Sequence, residues 1–360
     1  MANLFGRTLE KYEILKHVGD ISQIAGIREV RLQDGFEDGV RTLEVRTGSG
    51  LEFDILADRG FDISRASFNG KSLAWRSCTS NQHPAFYDAE GLGWLRNFYG
   101  GLVVTCGLSQ AGAPSEDEGK HWGLHGRISC TPAYETSVRQ FWQGDEFILE
   151  ARGKMREGVV FGENLTLDRT ITTSLGSSSF VMEDTVTNEA FEPFPHMMLY
   201  HINIGYPVVA EGSQILAPSL KGEPRDSRAE VEADKQREML APTPGFEERV
   251  YFHQMQADAE GFVTVGLVNP NLAGSPFGVW IKYRKDTLPH FSEWKMNGQG
   301  TYVCGLEPGN CLPMGRAEER RAGRLVTLEP GESRSYRVEI GVVDSTAALD
   351  ELKRKASLED

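Results

Sequence analysis

Three short segments of the chain place ionisable side chains beside glycines and small residues. They are residues 122–127, which contain His125, residues 198–207, which contain His201, and residues 301–310, which contain Glu307. Imidazole and carboxylate groups are the side chains that most often donate and accept protons in catalysis. If the fold brings these segments together, they can form an acid–base site.

The alternation of side chains along a strand indicates which residues of these segments share a face. His201 and Asn203 lie on one face of their segment, opposite an apolar face that we expect to pack between sheets. Gly305 and Glu307 share a face of the third segment, and the glycine leaves room for a ligand beside the carboxylate. Pro308 is expected to end this strand, which places Glu307 at a strand end.

Strands are the elements that must position these residues. Short runs of alternating apolar and polar residues recur along the chain, and Asn69-Gly70 predicts a hairpin turn between strands at 63–68 and 72–75. The pattern has neither alternating strands and helices nor a repeat of 20–50 residues. The sequence therefore predicts an all-β fold, a large antiparallel β-sandwich with few short helices.

The domain organisation follows from the same pattern. We expect one domain over residues 1–360, with an irregular excursion at 213–248 that is polar and rich in proline and carries one short helix at 229–239. Residues 111–123 are expected to form a long surface loop. The clearest helix is predicted at 345–355, where Ser345 and Thr346 can cap the first turn.

Charge and composition limit the partners of the chain. The 360 residues carry a formal net charge of −14, so we expect no nucleic-acid or membrane partner. No apolar stretch is long enough to span a bilayer and the first residues are charged, which predicts a cytoplasmic protein. Five cysteines without a C-x-x-C pair indicate buried free thiols rather than a disulfide framework or a zinc knuckle.

The order of the motifs resembles the galactose mutarotase superfamily. Its aldose 1-epimerases show a Leu-His-Gly motif, a histidine strand and a late Glu-Pro motif, which Leu124-His125-Gly126, His201-Ile202-Asn203 and Leu306-Glu307-Pro308 match. Residues 100–104 with 125–127 look like the hexose-6-phosphate 1-epimerase branch. Residues 57–63, 93–96 and 294–296 look like an uncharacterised aldose 1-epimerase-like subgroup. The resemblance covers roughly residues 40–340 and implies the supersandwich form of the β-sandwich.

The resemblance also implies a chemistry. Mutarotation moves a proton from the anomeric hydroxyl to the ring oxygen, so that the ring opens and closes again on the other face. In the family the late glutamate is the base and the histidine of the middle strand is the acid. Carried over, Glu307 is the base, His201 is the acid, and His125 helps to fix the sugar. Mutual attraction is expected to keep Glu307 ionised and His201 protonated.

The chain departs from the family at the residues that hold the sugar. His253 is expected where the family has a sugar-binding aspartate, and Thr105-Cys106-Gly107 replaces a Gly-Arg pair. The cationic contact is then expected from Arg59, Arg96, Arg127 and Lys295, with Asn203 and Trp294 completing the substrate-binding set. Arginine suits carboxylate and phosphate groups. These departures favour a non-classical sugar: a ketose, a deoxy sugar, an acidic sugar or a phosphorylated one.

Three functions remain open on the sequence alone. The first is a sugar 1-epimerase, the second a carbohydrate-binding protein of the same fold without catalysis. The third is a metal-dependent sugar isomerase that uses some of the histidines His83, His125, His196, His201 and His253. No H-x-H or H-x-x-x-H cluster supports the third, so we expect no metal and no cofactor. The expected ligand is a small-molecule sugar, and pairing of long sheet edges would give a homodimer.

Overall fold

The structure is a computed structural model that describes residues 1–220 and 222–357. Within these residues the strands form three large sheets, of eight, seven and five strands, and two small hairpins. The strands within the sheets pair antiparallel, and the helices are few and short. The prediction of an all-β antiparallel sandwich is confirmed.

The first third of the chain builds the five-stranded sheet, the two hairpins and one strand of the seven-stranded sheet. Its strands are β1 (Ala2–Leu4), β2 (Arg7–Leu9), β3 (Gly26–Arg31), β4 (Arg41–Arg46), β5 (Leu51–Leu56), β6 (Asp62–Phe68), β7 (Lys71–Ser72), β8 (Val104–Leu108), β9 (Ser115–Asp117) and β10 (Lys120–Trp122). Strands β3 to β7 pair in sequence order. The predicted surface loop at 111–123 thus contains the β9–β10 hairpin.

The rest of the chain builds the two larger sheets. Its strands are β11 (Tyr134–Gln143), β12 (Glu146–Gly158), β13 (Asn164–Ser174), β14 (Ser179–Asn188), β15 (Phe194–Ile204), β16 (Gln214–Leu216), β17 (Glu223–Pro224), β18 (Arg249–Phe252), β19 (Phe262–Leu272), β20 (Ser275–Arg284), β21 (His290–Gly298), β22 (Thr301–Gly309), β23 (Val326–Leu328) and β24 (Ser333–Val343). The eight-stranded sheet has the order β11-β12-β13-β14-β24-β20-β19-β16. The seven-stranded sheet has the order β17-β18-β21-β22-β15-β23, and β8 also pairs with β15.

The helices lie outside the sheets. They are α1 (Lys11–Leu15), α2 (Ser227–Glu230), α3 (Arg316–Arg321) and α4 (Thr346–Lys355). In α4 the hydroxyl of Ser345 accepts a hydrogen bond from the backbone N–H of Ala348, which confirms the predicted N-cap. Among the described residues, none of the helices is both long and apolar enough to cross a membrane.

The predicted helix at 229–239 is wrong. The chain forms only α2 and a 3₁₀ turn at Ala233–Lys235. Asp226 caps α2, but Glu232 adopts a left-handed φ of 52°, which ends the helix early. The side chain of Gln236 then accepts a hydrogen bond from the backbone N–H of Gly222, so this segment folds back on itself instead of extending.

Local patterns explain several of the strands. The residues of β14 alternate between buried and partly exposed, as the period of two predicts. Asn69 and Gly70 both have positive φ and join β6 to β7, which confirms the predicted hairpin turn. Pro308 does not end β22, because the strand continues to Gly309 beside β21. The proline lies instead in the gap where the ladder between β22 and β15 is interrupted.

The main core lies between the sheets and takes buried side chains from all three. Examples are Phe53 and Ile55 from the five-stranded sheet, Leu165 and Leu167 from the eight-stranded sheet, and Ile202 and Ile204 from the seven-stranded sheet. Nearly all residues of strand β15 are buried, on both faces. Its apolar face packs into this core, as predicted, and its other face must be covered by something else.

Candidate functional site

Strands β15 and β22 bring the two predicted proton-transfer residues together. Their register pairs Ile202 with Leu306 and Asn203 with Gly305, so His201 lies opposite Glu307. The Nε2 atom of His201 is 3.3 Å from the Oε1 atom of Glu307. Both side chains are buried, with relative exposures of 5% and 3%. Residues more than 100 positions apart in the sequence thus form one contact.

Strand β21 adds a third polar residue to this pair. Its register with β22 places Ser292 opposite Glu307, and directly opposed residues of antiparallel strands share a face. Ser292, Glu307 and His201 therefore form a line across three neighbouring strands, which we call the acid–base row. The next line on the same face contains Trp294, Gly305 and Asn203.

Four buried polar atoms on this face lack a hydrogen-bond partner. They are Nδ1 of His201, Oδ1 of Asn203, Oγ of Ser292 and Oε1 of Glu307. A buried polar group without a partner costs about 1–3 kcal/mol, and native structures contain few of them. Their concentration at one place indicates a site prepared for the polar groups of a ligand.

Aromatic side chains cover the acid–base row. The ring of Phe98 lies 5.3 Å from that of His201, and the ring of Trp294 lies at the same distance with a nearly perpendicular tilt. Trp94 stacks on Phe98 at 4.4 Å, and Trp75 contacts both Phe98 and Trp294. These rings explain why β15 is buried on its second face, and flat aromatic faces suit the C–H surfaces of a sugar.

His125 reaches the same site from the loop after β10. Its ring lies 5.5 Å from the ring of His201 and 4.7 Å from that of Trp94. Gly112 donates its backbone N–H to Nδ1 of His125, so the neutral ring carries its proton on Nε2. The residue has a left-handed φ of 57°, an uncommon conformation outside glycine that turns the imidazole towards Trp94 and His201.

Burial dominates the protonation of these groups. It raises the pKa of Glu307 to about 8, an effect to which Glu248 adds and which Arg225 opposes. Burial also lowers the pKa of His201 to about 4, with Asn203 acting weakly in the other direction. The pKa of His125 is well below its usual value because of burial and the neighbouring His201. Each buried group therefore favours its neutral form, contrary to the expected pair of opposite charges.

Two other predicted residues also lie at the site. The amide of Asn203 donates to the carbonyl oxygens of Gly101 and His201, which holds it behind the histidine. Trp294 forms part of the aromatic cover. Gly305 leaves room, as expected, but side chains of the protein fill that room instead of a ligand. A Cβ at this position would lie 2.7 Å from Oε1 of Glu307 and 3.1 Å from Cβ of Trp294.

Two residues of the excursion at 213–248 lie at the site. Glu248 accepts a hydrogen bond of 2.9 Å from the indole N–H of Trp294. The same carboxylate pairs with Arg225, whose Nη2 lies 3.0 Å from Oε1. No sequence pattern marks either residue, because both stand in a polar segment without strand alternation. Their charges nevertheless act on the pKa of Glu307.

The four cations predicted to contact the substrate lie elsewhere. Arg59 is buried and donates to the carbonyl oxygens of Gln82, Asn97 and Ser129. Lys295 points to the opposite face of β21 and donates to the carbonyl oxygens of Lys235 and Glu238. Both cations donate to backbone carbonyl groups inside the protein. The prediction that Arg59 and Lys295 contact the substrate is therefore wrong.

The two remaining arginines are on the surface. Arg96 is exposed and lies 3.5 Å from Asp88. Arg127 is exposed and lines a cavity of about 490 Å³ beside the His125 loop, together with Glu90, Glu116 and Glu163. The charges that act on the pKa of Glu307 come from Glu248 and Arg225 instead. Neither Arg96 nor Arg127 lies beside the acid–base row, where the cationic contact to the substrate was predicted.

His253 faces away from the site. It follows β18 and accompanies Phe291 and Glu293 on the core face of the sheet. Its Nε2 lies 2.9 Å from Oε2 of Glu293, and its Nδ1 lies 3.1 Å from Oγ of Ser219. The prediction that His253 replaces a sugar-binding aspartate is therefore wrong, because the register of β18 turns its side chain to the other face.

The remaining histidines do not assemble a metal site. His196 is buried and bonds the carbonyl oxygen of Leu108 and the hydroxyl of Tyr336. His83 caps a 3₁₀ turn by accepting from the backbone N–H of Ala85. In the part of the chain that the structure describes, no three His, Cys, Asp or Glu side chains are arranged to hold a metal ion.

Comparison with solved structures relates this fold to the mutarotases. A protein from Klebsiella pneumoniae, provisionally assigned as an aldose 1-epimerase, superposes with a TM-score of 0.87 and is 28% identical, over 92% of this chain and 86% of its own. A galactose mutarotase-like protein from Clostridium acetobutylicum has a TM-score of 0.59 at 13% identity, covering 89% and 99%. The galactose 1-epimerase of Lactobacillus acidophilus has a TM-score of 0.56 at 11% identity, with the same coverage.

The family comparison covers most of the chain. A family model described as Domain of unknown function (DUF4432) matches residues 37–342. A search of curated proteins found no match. The resemblance to mutarotase-like proteins is confirmed at the level of the fold, and the chain belongs to the DUF4432 family.

Proposed function

We propose that this member of the DUF4432 family is a sugar 1-epimerase-like enzyme, which interconverts the anomers of a sugar by acid–base ring opening. The observation that carries the proposal is the buried contact of 3.3 Å between His201 and Glu307. An imidazole and a carboxyl group side by side, with an unpartnered atom on each, can serve the two oxygens of a hemiacetal.

The reaction needs one general acid that donates a proton and one general base that accepts a proton. Burial raises the pKa of Glu307 to about 8 and lowers the pKa of His201 to about 4. Between these values the pair carries one proton, held by the carboxyl group in the free site. Transfer of that proton to His201, once a bound ligand brings their 3.3 Å contact into hydrogen-bond geometry, gives a carboxylate base and an imidazolium acid without any change in net charge.

Each residue then has a role in the proposed cycle. Glu307 takes the proton of the anomeric hydroxyl while His201 gives its proton to the ring oxygen, and the C–O bond of the ring breaks. Rotation about the bond between the carbonyl carbon and its neighbour turns the other face of the carbonyl group towards the hydroxyl that closes the ring. The same two transfers in reverse close the ring. His125 carries a proton on Nε2, which can donate a hydrogen bond to the sugar.

The direct test is anomer exchange watched by saturation-transfer NMR over a panel of sugars. We expect Glu307→Gln to lower the exchange rate by about 10²–10⁴-fold, because general acid–base catalysis supplies that much. Glu52→Gln makes the same substitution at an exposed position of β5 and should leave the exchange rate unchanged. An unchanged rate in Glu307→Gln would refute the assignment. Sugars that bind without any acceleration would favour the binding protein instead.

A pH profile provides an independent test. Because the pair must hold one proton, kcat/KM should fall below about pH 4, where His201 is also protonated, and above about pH 8, where Glu307 loses its proton. The two apparent pKa values of this profile describe the coupled pair of His201 and Glu307 rather than either residue alone. A profile that is flat between pH 3 and 9, measured within the range where the protein stays folded, would contradict the proposed chemistry.

A further inference from the structure

The excursion supplies a charged pair at the edge of the site that the proposed chemistry does not use. Arg225 and Glu248 lie at 3.0 Å from each other, and Glu248 also accepts the indole N–H of Trp294. The ring of Trp294 lies 5.3 Å from that of His201. The pair is thus one side chain away from the acid–base row, and its two residues are 23 positions apart in the sequence.

We propose that Arg225 and Glu248 determine the specificity of this site, and that they select an uncharged sugar by binding hydroxyl groups away from the anomeric carbon. The inference rests on the proposed function, because it assumes that the anomeric carbon lies at His201 and Glu307. Of the sugars that the sequence allows, it excludes the acidic and the phosphorylated ones.

The position of the pair fits the far side of a sugar ring. The backbone N–H of Arg225 donates to the carbonyl oxygen of Val250, and Val250 is paired with Trp294. Arg225 therefore continues the line of Trp294 and Gly305 across the sheet, outward from the site. A sugar whose anomeric carbon meets Glu307 and whose C–H face rests on Trp294 would direct its remaining hydroxyls towards this pair.

The pair is accessible and suited to hydroxyl groups. The side chains of Arg225 and Glu248 are 22% and 42% exposed, in contrast to the buried acid–base row. A carboxylate accepts hydrogen bonds from hydroxyls, and a guanidinium donates to their oxygens. Such charge-assisted bonds are short and strong. The bond from Trp294 fixes Glu248, so that little further ordering is needed on binding.

The local charges oppose an anionic sugar. Arg225 is shared between Glu248 and Asp226, whose Oδ2 lies 2.9 Å from its Nη2, so two carboxylates surround one cation. Neighbouring cations are also paired, Arg228 with Glu247 and Arg249 with Glu232. Within residues 222–357, a phosphate or carboxylate at this place would meet Glu248 and Asp226, and the neighbouring arginines already have carboxylate partners. Like charges in contact are a common means of rejecting wrong ligands.

The experiment uses the full chain and matched sets of sugars: an aldohexose, its 6-phosphate and its uronate, in the glucose and galactose series. We expect kcat/KM for the neutral sugar to exceed that of the anionic sugars at least about tenfold at low salt. Added salt should narrow this ratio by screening. A wild-type protein that prefers the phosphate or the uronate, or that treats all three alike, would overturn the inference.

Two variants connect the preference to the pair. Glu248→Gln should raise KM for the neutral sugar about three- to tenfold and reduce the discrimination by a similar factor. It should also shift the alkaline limb of the pH profile to lower pH, because the charge of Glu248 raises the pKa of Glu307. Glu247→Gln removes the same charge from the neighbouring exposed residue and should leave the preference intact. Equal effects of both variants on the preference would refute a specific role of Glu248.

A binding measurement separates this inference from the proposed function. Quenching of tryptophan fluorescence reports sugar at the aromatic cover, which contains Trp75, Trp94 and Trp294, whether or not the anomers are exchanged. Preferential binding of neutral sugars without exchange would refute the enzyme and support the specificity. Anomer exchange with a preference for anionic sugars would support the enzyme and refute the specificity. A protein that binds none of these sugars would refute both the enzyme and the specificity.

Discussion

The two faces of β15 carry two buried polar clusters that differ in one respect. Tyr200 and His201 are neighbours in the chain and point in opposite directions, Tyr200 into the space between the sheets and His201 to the acid–base row. The hydroxyl of Tyr200 donates to Oδ2 of Asp184 at 2.6 Å. Nδ1 of His201 has no partner. Both residues are fully enclosed, yet only one is satisfied.

The cluster between the sheets is complete. The guanidinium of Arg169 donates to both oxygens of Asp184, to Asp62, to Thr105 and to the carbonyl oxygen of Gly60. Thr105 in turn donates to Asp62 with its hydroxyl and its backbone N–H. The ion pairs of Arg169 are fully buried. We call Arg169, Asp62, Asp184, Thr105 and Tyr200 the inter-sheet network.

The difference shows that burial alone does not distinguish a structural polar cluster from a functional one. Charged residues in a protein interior can tie sheets together, provided that each donor and acceptor is matched. The acid–base row leaves four atoms unmatched, an arrangement that costs stability and is useful only if a ligand completes it. Variants of the two clusters should therefore separate stability from activity.

The largest effect is expected for Arg169→Met. The substitution leaves Asp62 and Asp184 buried without their cation, which costs about 3–5 kcal/mol of the free energy of unfolding. Urea denaturation measures this loss. The exchange rate per folded molecule should remain within about threefold of the wild type. A loss of stability below about 1 kcal/mol would remove the contrast between the clusters.

Glu307→Gln should have the opposite effect on stability. A group with a raised pKa in the folded state loses its stabilising contribution as pH rises from its unfolded pKa through its folded one, here from the usual 4.5 to about 8. Glutamine does not titrate, so the variant should gain stability relative to the wild type, on the order of 1–3 kcal/mol more at pH 8 than at pH 5. Urea denaturation at both pH values checks the sign. The exposed Glu52→Gln should show no such trend.

Tyr200→Phe deletes a hydroxyl from the inter-sheet network. The free energy of unfolding should fall by about 1–1.5 kcal/mol, because one hydrogen bond to a carboxylate is lost while Arg169 still binds Asp184. Thermal or urea unfolding measures this change. Equal stability of the variant and the wild type would show that the hydroxyl contributes nothing to the network.

Ser292→Ala deletes a hydroxyl from the acid–base row and completes the comparison with Tyr200→Phe. Because this hydroxyl has no partner, stability should change by less than about 0.5 kcal/mol. The exchange rate should fall about three- to tenfold, since the hydroxyl can support Glu307 or a sugar oxygen. A variant as unstable as Tyr200→Phe, with unchanged exchange, would place Ser292 among the structural residues.

Much of the fold and part of the site could be predicted from the sequence. The period of two placed Tyr200 and Ile202 on one face of β15 and His201 and Asn203 on the other, which the structure confirms. It also placed Glu307 on the side of Gly305, where the glycine keeps space beside the carboxylate. These features depend on neighbours in the chain, so local pattern is sufficient to predict them.

Two of the misplaced residues, His253 and Lys295, have a common cause. Alternation along a strand gives two faces without saying which face meets the site, and a one-residue change of register exchanges them. His253 and Lys295 lie on strands or strand ends whose registers turn them to the core face. Arg59 stands in a motif that resembles a family signature, but its partners are carbonyl oxygens from segments 23 to 70 residues away.

The sequence by itself determined that strands with alternating faces would carry an imidazole and a carboxylate, because side-chain direction along a strand is a local property. Only the tertiary structure decided that Ser292 stands beside Glu307, and that the excursion brings Arg225 and Glu248 to Trp294. Such proximity depends on strand order, register and packing between distant segments. These contacts cannot be inferred from the residues on either side of each position.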